Sequence, residues 1–504
     1  MFRFNTGLLP LRLSPRLTDI NKVINTINAA KKHTRRSLVC ELHLAAQVES
    51  QFHYLLALLG HIYCYTYEVL GPRVYLTMPG HFKQPSALEY AANLEVMFEH
   101  KEYVVPLDYE DVCRKRKSKE LPAIVQFALS EFPIHQFPPF YPKIPKDAIP
   151  KFGETVLGGT FDYLHPGHML LLTSQALVTQ NTIHVALTSD AMLTTKTFPE
   201  MIQHYRVRED EVRKVLAHIV PHKSPHIFPI TDPVGPAATA ESWEAIVLSR
   251  EVEAAEGTIN AKRRENGLAG LKTVLVDLVQ LGTHKISSTD IRALISERAE
   301  YQVESMKQQW MHTCTALEIS AEKAGYWWTV LLNSYMRHDR YYHSLTQLSR
   351  MLKMKEDLHL DCNLGLNLAI WFHDIVFFPD SKNCEEHCAQ TYEDFCRDTG
   401  LKGYEQVTDY ILATRGHRTR TKDKEEQWLL DLDLAILGSD PLEYRHYAEA
   451  IKKEYSFSGG FESGRRKVLR KFLDRDSIFL TPLFRRLYEQ QSRRNIMSEL
   501  STLS

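Results

Sequence analysis

Between Thr155 and about Ile295 short β-rich runs alternate with helical ones, a pattern that few folds accommodate. The runs are Thr155 to Leu157, Leu170 to Leu177, Ile183 to Thr188, Arg208 to Ile219, Ile227 to Ile230, Trp243 to Val247, Ile259 to Leu271 and Thr273 to Leu278. Strands separated by helices are joined by crossovers, so the expected architecture is a series of βαβ units around a parallel sheet. Ligands of such sheets bind beyond the carboxyl ends of the strands, where loops lead into helices. The stretch Val156 to His168, V-L-G-G-T-F-D-Y-L-H-P-G-H, has that character. A buried strand runs into a glycine turn, and a loop then delivers two histidines to the start of an apolar helix, Met169 to Leu177.

At 504 residues the chain is too long for one core, since domains hold roughly 100–200 residues. Composition shifts mark three. Residues 1–131 read as a mixed α/β region, with Leu38 to Leu59 rich in Leu, Ala and His and Val74 to Met78 able to alternate as a strand; they carry no catalytic constellation. Residues 132–151 hold Pro133, Pro138, Pro139, Pro142, Pro145 and Pro150 among Phe132, Phe137, Phe140 and Tyr141. Proline fixes φ and removes donors, so this stretch is read as a linker whose aromatics pack along a neighbouring domain. Residues 152–297 are the alternating unit, and from 306 to 504 the strand signal is gone and an all-helical domain is expected, with breaks near Gly365, Gly400, Gly438 and Gly459.

Lys plus Arg (61) nearly cancels Asp plus Glu (62), so no overall field draws the protein to nucleic acid or an acidic membrane, and any anion it binds needs a local pocket. The basic run Arg114 to Lys119 is read as a solvated face. Eight scattered cysteines without a C-x-x-C pair argue for reduced thiols in a cytoplasmic protein, without a disulfide framework or structural zinc. No apolar run approaches the roughly 20 residues of a membrane span. Arg3, Arg12 and Arg16 precede the first acid, Asp19, as in a mitochondrial presequence, but Pro10 and Pro15 interrupt the helix it would need, and an ordinary strand-like segment is the better reading.

The chemistry of the opening stretch follows from its residue types. Gly158 and Gly159 let a ligand approach the backbone, and the amides that follow, with Thr160 and Phe161, can face phosphate oxygens. His165 and His168 meet at a helix start, where the helix dipole favours anions. Far downstream, I-S-S-T-D-I-R at Ile286 to Arg292 offers a second helix start, with Ser287, Ser288 and Thr289 as donors and Arg292 one turn in.

Together T-F-D-x-x-H-x-G-H and I-S-S-T-x-x-R resemble the nucleotidyltransferases of the H-x-G-H superfamily, which implies a Rossmann-like domain. Asp232 to Ala237 (D-P-V-G-P-A), Val247 to Val252 (V-L-S-R-E-V) and Ile259 to Leu268 (I-N-A-K-R-R-E-N-G-L) resemble the eukaryotic phosphopantetheine adenylyltransferase, the corresponding half of bifunctional coenzyme A synthase. The resemblance covers about residues 152–296 and implies attack of 4′-phosphopantetheine on the α-phosphorus of ATP, giving dephospho-coenzyme A and pyrophosphate with Mg²⁺. It implies that Thr160 binds the incoming phosphate, that His168 holds the transferring group with His165 assisting, that Lys196 holds phosphates, and that Arg292 with Ser287 to Thr289 grips the β and γ phosphates of ATP. Val252 stands where family members often carry a hydroxyl, and no G-x-x-x-x-G-K-[ST] loop is present. A kinase half is therefore not expected, and dephospho-coenzyme A would pass to a separate kinase. Asp232 serves either the site or only a turn.

In the helical region R-Y-Y-H (Arg340 to His343), W-F-H-D-I-V-F (Trp371 to Phe377), T-R-G-H (Thr414 to His417) and D-L-D-L-A-I-L-G (Asp431 to Gly438) carry metal-ligand chemistry. Adjacent His373 and Asp374 in an apolar run are costly to bury unless a cation or hydrogen bonds compensate, and imidazole with carboxylate suits Mn, Co, Fe or Zn. The order resembles the HD superfamily of metal-dependent phosphohydrolases. That implies His343, His373, Asp374 and Asp433 as ligands of a divalent ion such as Mn²⁺ or Co²⁺, with Asp431 the rival of Asp433, Glu385 or Glu386 in an outer role and His417 facing the same cavity. Relatives commonly carry a second histidine where this chain has Gln347, so a domain that keeps the fold and loses hydrolysis is an alternative. Two readings compete with an adenylyltransferase carrying an HD hydrolase: a phosphohydrolase whose nucleotidyltransferase-like part only senses nucleotide, and a non-catalytic scaffold of coenzyme A assembly.

Overall fold

A computed structural model describes residues 4–13, 17–44, 52–67, 73–78, 94–99, 109–129, 148–277, 280–281, 284–298, 303–337, 339–360, 364–379, 383–419, 421–455 and 461–503. Two compact units divide near Ala293 and Leu294. The linker expected at 132–151 falls largely outside the described residues, which resume at 148.

The first unit holds two parallel sheets. In the first, β1 (Phe4–Leu13), β2 (Thr34–Leu44), β3 (Arg73–Thr77), β4 (Val96–Glu99) and β5 (Val125–Ala128) take the order β3-β2-β1-β4-β5, with α1 (Leu17–Lys31), α2 (Phe52–Thr66) and α3 (Tyr109–Ser118) in the connections. This is a complete parallel sheet where the sequence yields only a mixed region. The run Leu38 to Leu59 straddles the end of β2 and the start of α2, so its composition blends two elements. The basic run lies on the end of α3 and beyond and is mostly solvated, but Arg116 is 1% exposed, its Nε donating to Pro122 O at 2.9 Å.

The second sheet contains β6 (Phe152–Gly159), β7 (Thr179–Thr188), β8 (His226–Ile230), β9 (Ala245–Ser249) and β10 (Lys272–Val276), in the order β10-β9-β6-β7-β8 and again all parallel. Its helices are α4 (Pro166–Val178), α5 (Tyr205–Ile219), α6 (Ala255–Glu265) and α7 (Ser288–Arg298). Counted from its own first strand, each sheet reads 3-2-1-4-5. The chain reverses its progress across the second sheet between β6 and β9, and the crevice beyond their carboxyl ends is where such a sheet binds ligands.

The two sheets share one core. Leu55, Leu59 and Ile62 of α2 belong to the same buried cluster as Leu170, Leu172 and Leu177 of α4 and Leu216 and Ile219 of α5. Tyr63 Oη lies 2.9 Å from Thr173 Oγ1, which donates to Met169 O at 2.8 Å, so the phenol is the donor. Thr77 Oγ1 donates to Ile219 O at 3.2 Å, and Tyr75 stacks on His218 at 4.1 Å. The N-terminal sheet thus grips α4 and α5. Tyr63→Ala is expected to cost about 3–5 kcal/mol, as for other buried aromatic truncations, and to lower a single calorimetric transition for both sheets; a separate transition for residues 1–129 would contradict the shared core.

The second unit is helical in its described residues: α8 (Val303–Ala316), α9 (Ala321–Tyr335), α10 (Leu345–Asp357), α11 (Leu364–Phe372), α12 (Cys384–Thr399), α13 (Gln406–Ala413), α14 (Lys424–Leu434), α15 (Pro441–Glu454), α16 (Phe461–Leu473) and α17 (Pro482–Thr502). Aromatic rings fill its core, with fully buried Trp310 edge-on to Trp371 at 5.5 Å and close to Phe372 and Phe395. No helix among the described residues is long and apolar enough to cross a membrane.

Candidate functional site

The loop leaving β6 is built around its two histidines. His165 caps α4, its Nδ1 accepting from Gly167 N at 3.2 Å, so a neutral ring carries its proton on Nε2. The His165 and His168 rings lie 3.9 Å apart. A Cβ on Gly159 would sit only 2.9 Å from the Phe161 ring, so a side chain there would force that ring to shift, and one on Gly167 would sit 3.1 Å from the His165 ring and press on it. Phe161 and Tyr163 hold φ of 54° and 41°, the left-handed region that bulky residues avoid. The Phe161 ring is buried beside His168, which leaves only its backbone to meet a ligand. Gly158, Gly159 and Thr160 are at least partly exposed.

Asp162 ties this loop to the rest of the site. It is fully buried, accepts from Gln203 N at 2.9 Å and pairs with the Arg292 guanidinium. Arg292 is 2% exposed and directs two further donors to Thr197 O (3.0 Å) and Thr289 Oγ1 (3.1 Å). Where the sequence led to a phosphate grip, the guanidinium here clasps the first motif to the last. At the start of α7 Ser287 and Asp290 form a capping box, and Ser288 Oγ donates to Asp162 O at 2.7 Å. With both serine hydroxyls so occupied, the first-turn amides of Ser288 and Thr289 are the groups suited to an anion. Lys196 is exposed on the turn that begins at Leu193.

Arg208 and Gln203 escaped the sequence reading. Arg208 is fully buried and donates to Gln203 O (2.8 Å), Thr160 O (2.7 Å), Thr188 O (2.8 Å) and Asp190 Oδ1 (2.7 Å). It thereby joins the loops that leave β6 and β7. A signal existed: Arg208 shares a helical face with buried Val212, Val215 and Ile219, where a charge needs a reason. Asp232 Oδ1 accepts from Val234 N and Gly235 N at 3.0 and 2.6 Å, which is turn chemistry.

In the helical unit the ligand atoms of His373, Asp374 and Asp433 lie within 4.8 Å of one another. His373 Nδ1 lies 2.8 Å from Ile370 O and must donate to it, so in the neutral ring Nε2 presents a lone pair. That lone pair faces Asp374 Oδ2 at 3.3 Å and Asp433 Oδ1 at 3.9 Å without hydrogen-bond geometry. Lone pairs converging in a buried site call for a cation. Without one, burial lowers the affinity of His373 for a proton, but Asp374 and Asp433 outweigh it and raise the imidazole to about 9. The residues fit a divalent ion.

Two expectations are corrected here, and a third residue stands next to the group. His343 lies outside the three-residue group; its Nδ1 lies 2.7 Å from Glu454 Oε2, which leaves Nε2 uncommitted to that pair, while Glu454 Oε1 accepts from the amides of Tyr341, Tyr342 and His343. Asp431 is no rival to Asp433, because its carboxylate accepts from Leu480 N, Thr481 N and Thr481 Oγ1 at 2.7–2.8 Å and anchors the start of α17. Glu385 and Glu386 pair with Arg415 and add no atom to the group. His417 does reach it, 2.7 Å from Asp433 Oδ2, and Gln347 Nε2 donates to Asp433 Oδ1 at 3.1 Å.

The family match falls on the second sheet and its helices. The cytidylyltransferase-like family matches residues 156–294. A phosphopantetheine adenylyltransferase of Saccharomyces cerevisiae is 35% identical over 162 residues, 31% of this chain and 52% of the relative, so the chain spans about half of that protein. Relatives of the same name from Pyrobaculum aerophilum and Thermococcus gammatolerans are 37% and 38% identical over 152 and 144 residues, 30% and 28% of this chain but 96% and 89% of those proteins.

Proposed function

We propose that this chain, which belongs to the phosphopantetheine adenylyltransferase family through its second sheet, transfers the adenylyl group of ATP to 4′-phosphopantetheine, releasing pyrophosphate and dephospho-coenzyme A. The observation that carries the reading is the assembly of His165, His168 and the α7 amino end around one loop through the Asp162–Arg292 pair. In this reading the 4′-phosphate oxygen attacks the α-phosphorus, a P–O bond forms and the bond to the β-phosphate bridge breaks. Thr160 and the amides around it hold the incoming phosphate, and His168, with the Nε2 proton of His165 nearby, meets charge on the transferring group. Lys196, an exposed side chain, and the first amides of α7 hold the β and γ phosphates of ATP, which arrives with Mg²⁺. Positioning and electrostatics suffice, with no covalent intermediate. Coupled pyrophosphate release from ATP and 4′-phosphopantetheine tests this, and purified chain that releases none would overturn it.

The helical unit is proposed as a metal-dependent phosphohydrolase of the HD type, on the strength of the His373 lone pair facing two carboxylates. His373, Asp374 and Asp433 would hold Mn²⁺ or Co²⁺, with His343 oriented toward the site by Glu454; the bound ion would supply an activated water and charge for phosphate oxygens. His417 and Gln347 each engage one oxygen of Asp433 and so fix the plane of that carboxylate. Elemental analysis after metal-replete expression is expected to find a transition metal in the wild type and none at this site in His373→Ala, with circular dichroism confirming that the variant folds. Metal-free wild type would count against the reading.

A further inference from the structure

A cavity of about 690 Å³ opens against His343, His417 and Asp433, within the roughly 300–1,000 Å³ range of small-molecule sites. Away from these groups its wall is apolar, partly aliphatic with Leu437, Ile451 and Val468 and partly aromatic. The rings are taken up by neighbours, Tyr342 edge-on to Tyr447 at 4.7 Å, Tyr455 against Phe461 at 6.2 Å and Phe472 under the Arg475 guanidinium at 4.6 Å. That packing uses ring surface on which a nucleobase would otherwise stack.

The charge on the wall is specific. Arg465 is bound by Glu499 at 2.8 Å and Arg415 by Glu386 at 2.6 Å. Arg475 instead donates to the carbonyls of His417 and Gly416, both at 2.9 Å, which plants its guanidinium beside the residue that bonds Asp433. Among the described residues no carboxylate pairs with Arg475 or with Lys471, which also lines the cavity. Two cations without a carboxylate partner beside a divalent-ion site match one terminal phosphate, which carries about −1.5 to −2 at pH 7. A triphosphate would bring more negative charge than they balance.

Resting on the metal-site reading above, we propose that the cavity takes a phosphate monoester of an aliphatic alcohol. The phosphate lies between the ligand group and Arg475 with Lys471, and the carbon chain runs along Leu437, Ile451 and Val468. The acceptor proposed for the transferase, 4′-phosphopantetheine, is such a monoester, so the two units would compete for it. In hydrolysis a water oxygen bonds to phosphorus, the ester P–O bond breaks, and the departing alkoxide takes up the proton that the water loses, leaving inorganic phosphate and pantetheine.

The test uses the full chain loaded with Mn²⁺ and checked by elemental analysis. Phosphate release is followed from 4′-phosphopantetheine, AMP, ATP and bis(4-nitrophenyl) phosphate, and 4′-phosphopantetheine binding is titrated calorimetrically. Cleavage of 4′-phosphopantetheine is expected at about tenfold or more the kcat/KM of AMP, the scale of one apolar contact set, with no release from ATP or the diester. Val468→Trp, which crowds the aliphatic wall, should retain metal and lose one 4′-phosphopantetheine site per chain, and Lys471→Ala should weaken that site by about fivefold or more. Metal-loaded protein that prefers AMP, or Val468→Trp that keeps every site, overturns the substrate class while the metal site stands. Protein that binds no metal overturns both, and pyrophosphate release reports on the transferase independently.

Discussion

His168→Ala is expected to cut pyrophosphate formation by about 10²–10³ or more, the usual loss when one fixed donor at a developing charge is removed. The ring stands 3.9 Å from His165 and 5.2 Å from Phe161 at the start of α4, so its position is set by neighbours that the substitution leaves in place. The fall should therefore appear mainly in kcat, with ATP binding much less affected, because the imidazole is assigned to the transferring group and not to the nucleotide. Thermal unfolding should hardly change, since the ring is partly exposed. A variant with wild-type turnover would sink the assignment. One that loses turnover only because it unfolds would show a lowered melting temperature.

Asp162→Ala should lower stability as strongly as truncating a buried aromatic. Asp162 is fully buried and Arg292 2% exposed, so removing the carboxylate leaves a buried guanidinium without its counter-charge. Such a loss costs about 3–5 kcal/mol, or about 6–20 °C in a domain of this size. The Gln203 amide loses its acceptor at the same time. Transfer activity should fall as well, because the pair joins the β6 loop to the start of α7. A shift below about 1 kcal/mol, the range of an exposed pair, would show that the clasp is not closed in solution.

Both variants depend on one property of the structure: the segments that carry the candidate site residues are held by buried polar groups. Arg208 bonds Thr160 O, Arg292 bonds Asp162, and Glu454 bonds His343, each from another part of the chain. The N-terminal sheet extends this support, since α2 and β3 brace the two helices whose amino ends carry His168 and Arg208.

The alternation of β and α runs, the helical character of the last two hundred residues, and the H-x-G-H and I-S-S-T motifs were legible in the sequence because each is a local pattern, expressed within one strand, turn or helix. The strand order of the second sheet and the existence of a complete first sheet were not, since no motif marks residues 1–131 and one Leu-rich run covers parts of two elements. Nor does local pattern distinguish Asp431 from Asp433, two positions apart on α14. Only the approach of Thr481, fifty residues on, turns the first into a cap anchor, and only His373 and His417 give the second its place among the candidate ligands. Arg292 shows the same division: its position in the motif is a matter of sequence, but its partner lies 130 residues away, and whether a guanidinium faces phosphate or a buried carboxylate is decided by which groups the tertiary fold leaves in need of a charge.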